Sequence, residues 1–150
     1  MVNRQLYNHP LSMNLYNLNH SKENIKKVKA AIIFESEKSC LMYQSYYGYD
    51  NDISVACCGS SISSYHIDLL KSLGVNEIIV AFDRQFVKIS DDEFKRLKAK
   101  LIHIYNKYNK DIRISAIFDK RMITNYKSSP IDEGKEKFEK LLNERIIPYG

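Results

Sequence analysis

The chain has few cysteines, and none of them is spaced to bind zinc or to build a disulfide framework. Only three occur in 150 residues, Cys40, Cys57 and Cys58, and no C-x-x-C pair is present. Two of the three are neighbours inside an apolar run, which favours buried thiols in a reducing compartment. The sequence therefore predicts neither disulfides nor a zinc cluster.

Long apolar segments are also absent. The longest runs, AAIIF at 30–34 and EIIVAF at 77–82, are far shorter than the roughly 20 residues of a bilayer-spanning helix. The amino terminus lacks the apolar centre of a signal peptide, so we expect a cytoplasmic protein with no membrane contact. No internal repeat, low-complexity tract or linker is visible. A hydrophobic content of 44% fits one compact domain with its own core.

Basic residues exceed acidic residues only modestly. Lysine and arginine total 23 against 18 acids, which gives a net charge of +5, and the basic residues lie in runs such as KENIKKVK and FKRLKAKL. A surplus of this size fits contact with phosphates, but it is equally common in proteins that bind none. Charge alone therefore leaves nucleic-acid binding open.

Short β-branched runs alternate with longer helical patterns from about residue 30 onward. The predicted strands are 30–34, 53–58, 77–82 and 112–118. Each is nearly continuously apolar, as expected for strands that helices cover on both faces. The alternation predicts an α/β fold with a four-stranded, mostly parallel sheet flanked by helices. Residues 1–20 show no clear period and are predicted as an irregular segment, which leaves 21–150 as the domain.

Capping residues predict where the helices begin. Serines precede the apolar stripe of 63–74, and Ser90 with three following acids opens the stripe of 90–109. Ser129, Pro130 and Asp132 together resemble the start of a last helix, with Ser129 as the cap. A short helix is predicted over 21–29.

Acidic side chains follow three of the four predicted strands. Glu35 follows the first, Asp83 the third and Asp119 the fourth, whereas the second strand runs into a GSS turn at 59–61 whose amides could face an anion. Ligands of parallel sheets gather at the carboxyl ends of the strands, and Asp132 could lie on the same rim.

A cluster of carboxylates implies a compensating cation. Two carboxylates about 4 Å apart repel by roughly 4 kcal/mol at an effective dielectric constant near 20. Magnesium accepts a few carboxylates and leaves coordination positions for water and phosphate. The simpler reading is that Asp119 and Asp132 cap turns or helices, and that Glu37 lies in the first turn of the next helix. A dinucleotide-binding fold is not favoured, because ESEKSC at 35–40 has no glycine.

These segments resemble the TOPRIM domain, which bacterial and phage primases share with type IA and type II topoisomerases and some nucleases. AAIIFESEKSCLMY at 30–43 resembles its first motif, an apolar strand followed by a glutamate, a small residue and a helix. Residues 55–83 resemble the second half, in which a glycine turn and a helix lead to a strand that ends in Asp-x-Asp. The match covers about 15–145 and is closest to primases. Residues 15–38 resemble the entry from the basic primase subdomain, and 126–142 resemble the downstream acidic element.

The resemblance implies a Rossmann-like TOPRIM fold and a phosphoryl-transfer site that depends on Mg²⁺ or Mn²⁺. In primases that site joins nucleotides into an RNA primer on a single-stranded DNA template, alongside other replication proteins. Glu35 matches the family glutamate, with an acid-base or metal role. Asp83 matches the first metal ligand of the pair, and Asp132 one acid of the downstream element. The remaining residues expected to steady phosphates are Lys38, Lys120, Arg121 and Lys127.

Several expected acids are missing. Gln85 stands at the second aspartate of the pair, Ser36 follows the family glutamate in place of glycine, and Ser39 replaces the aspartate four residues after it. In the downstream element, Ser128 or Ser129 stands where an aspartate is expected. Each change removes negative charge that would hold a metal, so we expect weak binding of one ion and leave catalytic turnover open.

Three classes of function stay open on this basis. The first is a primase-type enzyme of phage or mobile-element kind, present as a fragment or accessory protein. The second is a TOPRIM-like module that binds nucleic acid or nucleotides without turnover. The third is a nuclease, since phosphodiester cleavage needs the same ions, whereas a topoisomerase would require a further domain with a strand-passing tyrosine.

Overall fold

The computed structural model describes residues 15–58 and 61–149, in which helices and strands alternate along the chain. Their order is α1 (Leu18–Val28), β1 (Ala30–Phe34), α2 (Glu37–Tyr47), β2 (Ser54–Ala56), α3 (Ser64–Ser72), β3 (Glu77–Ala81), α4 (Asp92–Tyr108), β4 (Arg113–Ala116) and α5 (Lys135–Asn143). All four predicted strands are confirmed, although three of them are shorter than the apolar runs that predicted them.

The four strands form one sheet in the order β2-β1-β3-β4, and every neighbouring pair is parallel. The predicted α/β fold with a parallel sheet and flanking helices is therefore confirmed. Strands β1 and β3 lie at the centre, paired from Ala30 opposite Glu77 to Phe34 opposite Ala81. This register brings the carboxyl ends of the two central strands to the same level of the sheet.

The central strands lie inside the hydrophobic core. The last four residues of both β1 and β3 are buried, as expected for strands covered on both faces. The ring of Phe34 lies 6.0 Å from that of Phe138 on α5 and 6.5 Å from that of Tyr43 on α2. These aromatic contacts attach α2 and α5 to β1 and so hold the strand end from which the site is built.

The first helix begins earlier than the predicted 21–29. Helix α1 begins at Leu18, and Tyr16 exchanges two backbone hydrogen bonds with Ala56 on the edge strand β2. Residues 1–14 lie outside the described residues, so the boundary placed at residue 20 stays a prediction.

Two predicted helix starts are wrong. Asp91, not Ser90, caps α4, because its carboxylate accepts a hydrogen bond from the Phe94 amide. The last helix begins at Lys135 rather than beside Ser129. Gly134 precedes it with a φ of 112°, a backbone conformation that separates the preceding turn from the helix.

The cysteines are free, and two of them are buried. Burial raises the pKa of Cys40 to about 12 and that of Cys57 to about 11, so both thiols stay protonated and unreactive at neutral pH. Cys58 is only partly buried. Within the described residues, no helix combines the length and apolar character needed to cross a bilayer.

Candidate functional site

Glu35 and Asp83 meet at the carboxyl edge of the sheet. Each follows a central strand, and the backbone amide of Asp83 donates a 2.6 Å hydrogen bond to Oε2 of Glu35. The in-register pairing of β1 with β3 is the cause, because it delivers both chain segments to the same edge. The structure thus brings together the two acids on which the sequence prediction of a metal site depends.

The loop between β4 and α5 brings a third acid to this edge. The amide of Lys127 donates to the carbonyl of Arg84, and the amide of Arg84 donates to the carbonyl of Ser128, at 2.8 and 3.0 Å. These bonds fasten the loop alongside the segment that follows β3. The chain then turns back, and the Ser129 amide donates to Oδ2 of Asp132 at 3.0 Å. Asp132 thereby becomes an electrostatic neighbour of Asp83.

The cluster carries more negative charge than its surroundings compensate. Burial, then the charges of Glu35 and Asp132, raise the pKa of Asp83 from an ordinary 3.8 to about 7. Oδ1 of Asp83 and Oδ1 of Asp132 are both buried and accept no hydrogen bond. The Nζ of Lys38 is 4.0 Å from Asp132 Oδ1, but that lysine side chain is 72% exposed and compensates little.

Two buried carboxylate oxygens without partners fit a divalent cation. Buried charges are ordinarily paired or coordinate metals, and carboxylate oxygens are the ligands that Mg²⁺ prefers. In the part of the chain that the structure describes, no three acidic, histidine or cysteine side chains converge closely enough to hold a metal by themselves. The protein would therefore supply part of a coordination shell, with water or phosphate oxygens supplying the rest.

Hydroxyl groups occupy the positions at which the TOPRIM resemblance predicts further acids. Ser39 Oγ donates to Ser129 Oγ at 2.9 Å, and Ser36 Oγ lies 3.3 Å from Ser39 Oγ. Ser39 and Ser129 are both buried, so the pair forms a neutral hydrogen bond beside the acid cluster. Ser39 and Ser129 thus lie in contact, although they are 90 positions apart in sequence.

Asp119 has a structural role. Its Oδ1 accepts from the Ile123 amide, and its Oδ2 accepts from the amide and hydroxyl of Thr124, at distances between 2.6 and 3.0 Å. Both carboxylate oxygens are thus engaged within the loop that follows β4. Glu37 lies in the first turn of α2, which confirms the simpler prediction that it is an acid at a helix start.

Of the four basic residues predicted to contact phosphates, Lys38 forms an ion pair with an acid of the cluster, Asp132. Lys120 and Arg121 line a separate hollow next to α5, where Arg121 forms an ion pair with Glu144. The Nζ of Lys127 lies 5.4 Å from the ring centre of Tyr126. Residues 59–60 of the GSS turn, which was predicted to face an anion, lie outside the described residues.

A cleft beside Glu35 contains two basic residues that the sequence analysis did not select. Its volume is about 260 Å³, and its lining includes Glu35, Phe82, Gln85, Glu93, Arg96 and Lys100. Arg96 and Lys100 both belong to the basic run FKRLKAKL. Their spacing of four residues places both on one side of α4, but only the packing of α4 beside the β3 end brings that side to Glu35.

Comparison with known proteins supports the architecture. No family model matches the sequence. The SPbeta prophage-derived uncharacterized protein YorJ of Bacillus subtilis (strain 168) is 36% identical over 152 residues, which cover 97% of this chain and 40% of YorJ. The chain therefore spans about two fifths of that relative.

Solved primase structures match the fold at low sequence identity. The RNA polymerase domain of Mycobacterium tuberculosis primase DnaG superposes with a TM-score of 0.68 and 16% identity, over 93% of this chain and 43% of that domain. A DnaG primase catalytic domain bound to ssDNA gives a TM-score of 0.65 and 19% identity, over 93% of this chain and 42% of its own. The described chain thus has the α/β fold of DnaG primase catalytic domains.

Proposed function

We propose that this chain is a TOPRIM-like domain of the phage primase type, which takes part in Mg²⁺-dependent nucleotidyl transfer during RNA primer synthesis. The proposed metal-binding residues are Glu35, Asp83 and Asp132. The proposed partners are single-stranded DNA and nucleotides. Because the chain spans less than half of the primase domains it resembles, other segments would contribute to a complete activity.

The observation that carries this proposal is the pair of unpartnered oxygens, Oδ1 of Asp83 and Oδ1 of Asp132. Both are buried, and the charges of Glu35 and Asp132 both act on Asp83 at the edge of the sheet where ligands of parallel folds bind. Neither oxygen has a hydrogen-bond donor within the described residues, and the nearest cation to Asp132 Oδ1 is the exposed Lys38 ammonium at 4.0 Å. A divalent ion would relieve the cost of this arrangement. The primase-like fold and the prophage-derived relative support the phage primase type, independently of the metal.

Each residue of the cluster has a distinct proposed task. Glu35 is oriented by the Asp83 amide and acts as a metal ligand or proton acceptor. Asp83 has a pKa of about 7 and would release its proton when a cation binds at the cluster. Asp132 is held by the turn that begins at Ser129 and supplies the third carboxylate. When bound, Mg²⁺ would neutralise the phosphate charge that develops during transfer.

The test compares the wild-type chain with Glu35→Gln. Thermal unfolding is followed during titration with Mg²⁺ and Mn²⁺, and ribonucleotide incorporation is measured on a single-stranded template. We expect metal to raise the unfolding temperature of the wild type and to have little effect on Glu35→Gln, which should also lack incorporation. Glu37→Gln is the matched control, because Glu37 is exposed on the first turn of α2 and should behave as the wild type. Equal metal responses in wild type and Glu35→Gln would exclude this site.

A second candidate is a module that binds nucleic acid or nucleotides without turnover. The buried Ser39–Ser129 hydrogen bond favours it, because Ser39 stands where an acid is expected and Ser128 or Ser129 stands where another is expected. These neutral hydroxyls leave fewer anionic ligands for metal. Under this alternative, single-stranded DNA affinity persists in chelator and falls steeply with salt, while incorporation is absent. DNA binding that does not respond to salt would count against it.

A further inference from the structure

The cleft between the end of β3 and helix α4 combines a defined volume with two cations. Its base includes Phe82, which is 4% exposed and immediately precedes Asp83. The ammonium of Lys100 lies 4.5 Å from the centre of the Phe82 ring, a cation–π contact that fixes the charge over this base. Within the residues that the structure describes, Lys100 forms no ion pair with a carboxylate, so its charge is available to a ligand.

Arg96 provides the second cation, and its present partner is replaceable. It lies one helical turn before Lys100 and forms an ion pair with Glu93, three residues earlier on the same helix. The two side chains are 71% and 45% exposed, and pairs exposed to this extent contribute little to stability. An anion that enters the cleft can therefore recruit the Arg96 guanidinium, which is well suited to phosphate oxygens.

Acids at the cleft restrict the shape of the anion. Glu35 and Glu93 both contribute to the lining, so negative charge is disfavoured wherever a ligand passes close to either carboxylate. An extended polynucleotide would carry further phosphates past these acids. A compact, highly charged anion can instead place its charge between Arg96 and Lys100 while reaching the proposed metal site through Glu35.

We propose that this cleft binds the polyphosphate group of a nucleotide, with Arg96 and Lys100 contacting its oxygens. The identity of the ligand rests on the proposed function, whereas the cationic site itself does not require a metal. Glu35 then belongs both to the acid cluster and to the lining of the cleft. Gln85 adds a neutral side chain there and avoids the repulsion that a second carboxylate would impose on the anion.

The experiment measures binding of inorganic triphosphate by titration calorimetry in the presence of EDTA. The variants are Arg96→Gln, Lys100→Gln and the double change. The control is Lys98→Gln, because Lys98 lies on the same helix but lines a different hollow with Leu101 and Ile147. Each single variant should weaken binding roughly two- to fivefold and the double variant about tenfold, while the control should change it by less than about 1.5-fold.

Two further variants test whether the acidic side chains at the cleft repel the bound anion. Glu93→Gln should tighten triphosphate binding about twofold by releasing Arg96, and Glu35→Gln should tighten it in EDTA by removing repulsion. All of the altered side chains except Glu35 and Glu93 are largely exposed, so folding should be preserved, and unfolding temperatures will verify this.

Three results would overturn the proposal. The first is an unchanged triphosphate affinity in the double variant, and the second is an equal loss of triphosphate affinity in the Lys98→Gln control. The third comes from the same titration with an oligothymidylate that lacks terminal phosphates: the variants weaken binding of the oligothymidylate but not of triphosphate. The last result would assign the cleft to a nucleic-acid backbone. Because the titration contains no metal, its failure is distinct from a failure of the Glu35-dependent metal response that tests the proposed function.

Discussion

Neutralising Asp83 should stabilise this protein at alkaline pH, although the substitution falls at the centre of its proposed site. Asp83→Asn removes a charge that burial, Glu35 and Asp132 all disfavour. The asparagine has nearly the same shape, and its amide can donate to a neighbouring carboxylate, which an ionised aspartate cannot do. The hydrogen bond from the residue 83 backbone amide to Glu35 does not depend on this side chain.

The direction of the pH dependence follows from the raised pKa. In the folded protein Asp83 keeps its proton up to about pH 7, whereas the ordinary value is 3.8. The wild type therefore loses stability as the pH rises from about 4 to about 7, because only the unfolded chain ionises freely over that range. A difference of about three pKa units corresponds to about 4 kcal/mol, and solvent screening at this partly exposed group reduces it to about 2 kcal/mol. Asp83→Asn should recover that amount at pH 8 and have little effect at pH 4.

The assay is urea unfolding of wild type and Asp83→Asn at pH 4 and pH 8, in EDTA so that no metal occupies the cluster. Asp119→Asn is the control, because its carboxylate accepts three hydrogen bonds and its loss should destabilise the protein at pH 8. If Asp83→Asn is destabilising by the same amount at both pH values, the carboxylate is not electrostatically disfavoured and the reasoning fails. Mg²⁺ added at pH 8 should stabilise the wild type and leave Asp83→Asn nearly unaffected.

Two further predictions concern a buried carboxylate outside the site and a missing acid within it. Asp52 is fully buried and accepts hydrogen bonds from the Asn17 and Gln44 amides at 2.7 and 2.9 Å. Asp52→Asn should therefore lower the free energy of unfolding by about 3 kcal/mol, whereas Asp50→Asn, on the exposed turn before it, should change it by less than about 0.5 kcal/mol; similar losses in urea melts of the two variants would contradict this. Gln85→Asp adds a carboxylate beside Glu35 and should tighten Mg²⁺ binding about tenfold, or about 1.4 kcal/mol, as measured by calorimetry. Unchanged Mg²⁺ affinity in that variant would show that Gln85 does not border the metal.

Local sequence patterns were sufficient to predict the strands and helices, but not where each of them begins and ends. The continuous apolar runs of β1 and β3 predicted buried parallel strands, because this character depends only on the residues themselves. The serine and proline before Asp132 predicted a helix that starts at Pro130, but the helix begins five residues later, at Lys135. The local hydrogen bond of that start signal does form, between the Ser129 amide and Asp132, but it closes an isolated turn.

The candidate site was only partly accessible to sequence reasoning. An acid directly after an apolar strand is a local pattern, so Glu35 and Asp83 could be selected before their contact was known. Lys120 and Arg121 fall in an equally local basic pattern, yet they face a hollow beside α5 and not the acid cluster. Whether a basic residue lies at the acid cluster depends on how distant elements pack against each other, and no local pattern contains that information.

Residues close together in the chain were enough to predict the alternation of strands and helices, the burial of the central strands, and the acids that follow them. These properties follow from side-chain polarity and spacing along a few consecutive residues. The tertiary structure alone decided that Asp132 joins Glu35 and Asp83, that Ser39 bonds to Ser129, and that Arg96 and Lys100 face the cleft. Those relations arise from strand order and from a loop fastened to the β3 end, which bring together residues far apart in the chain.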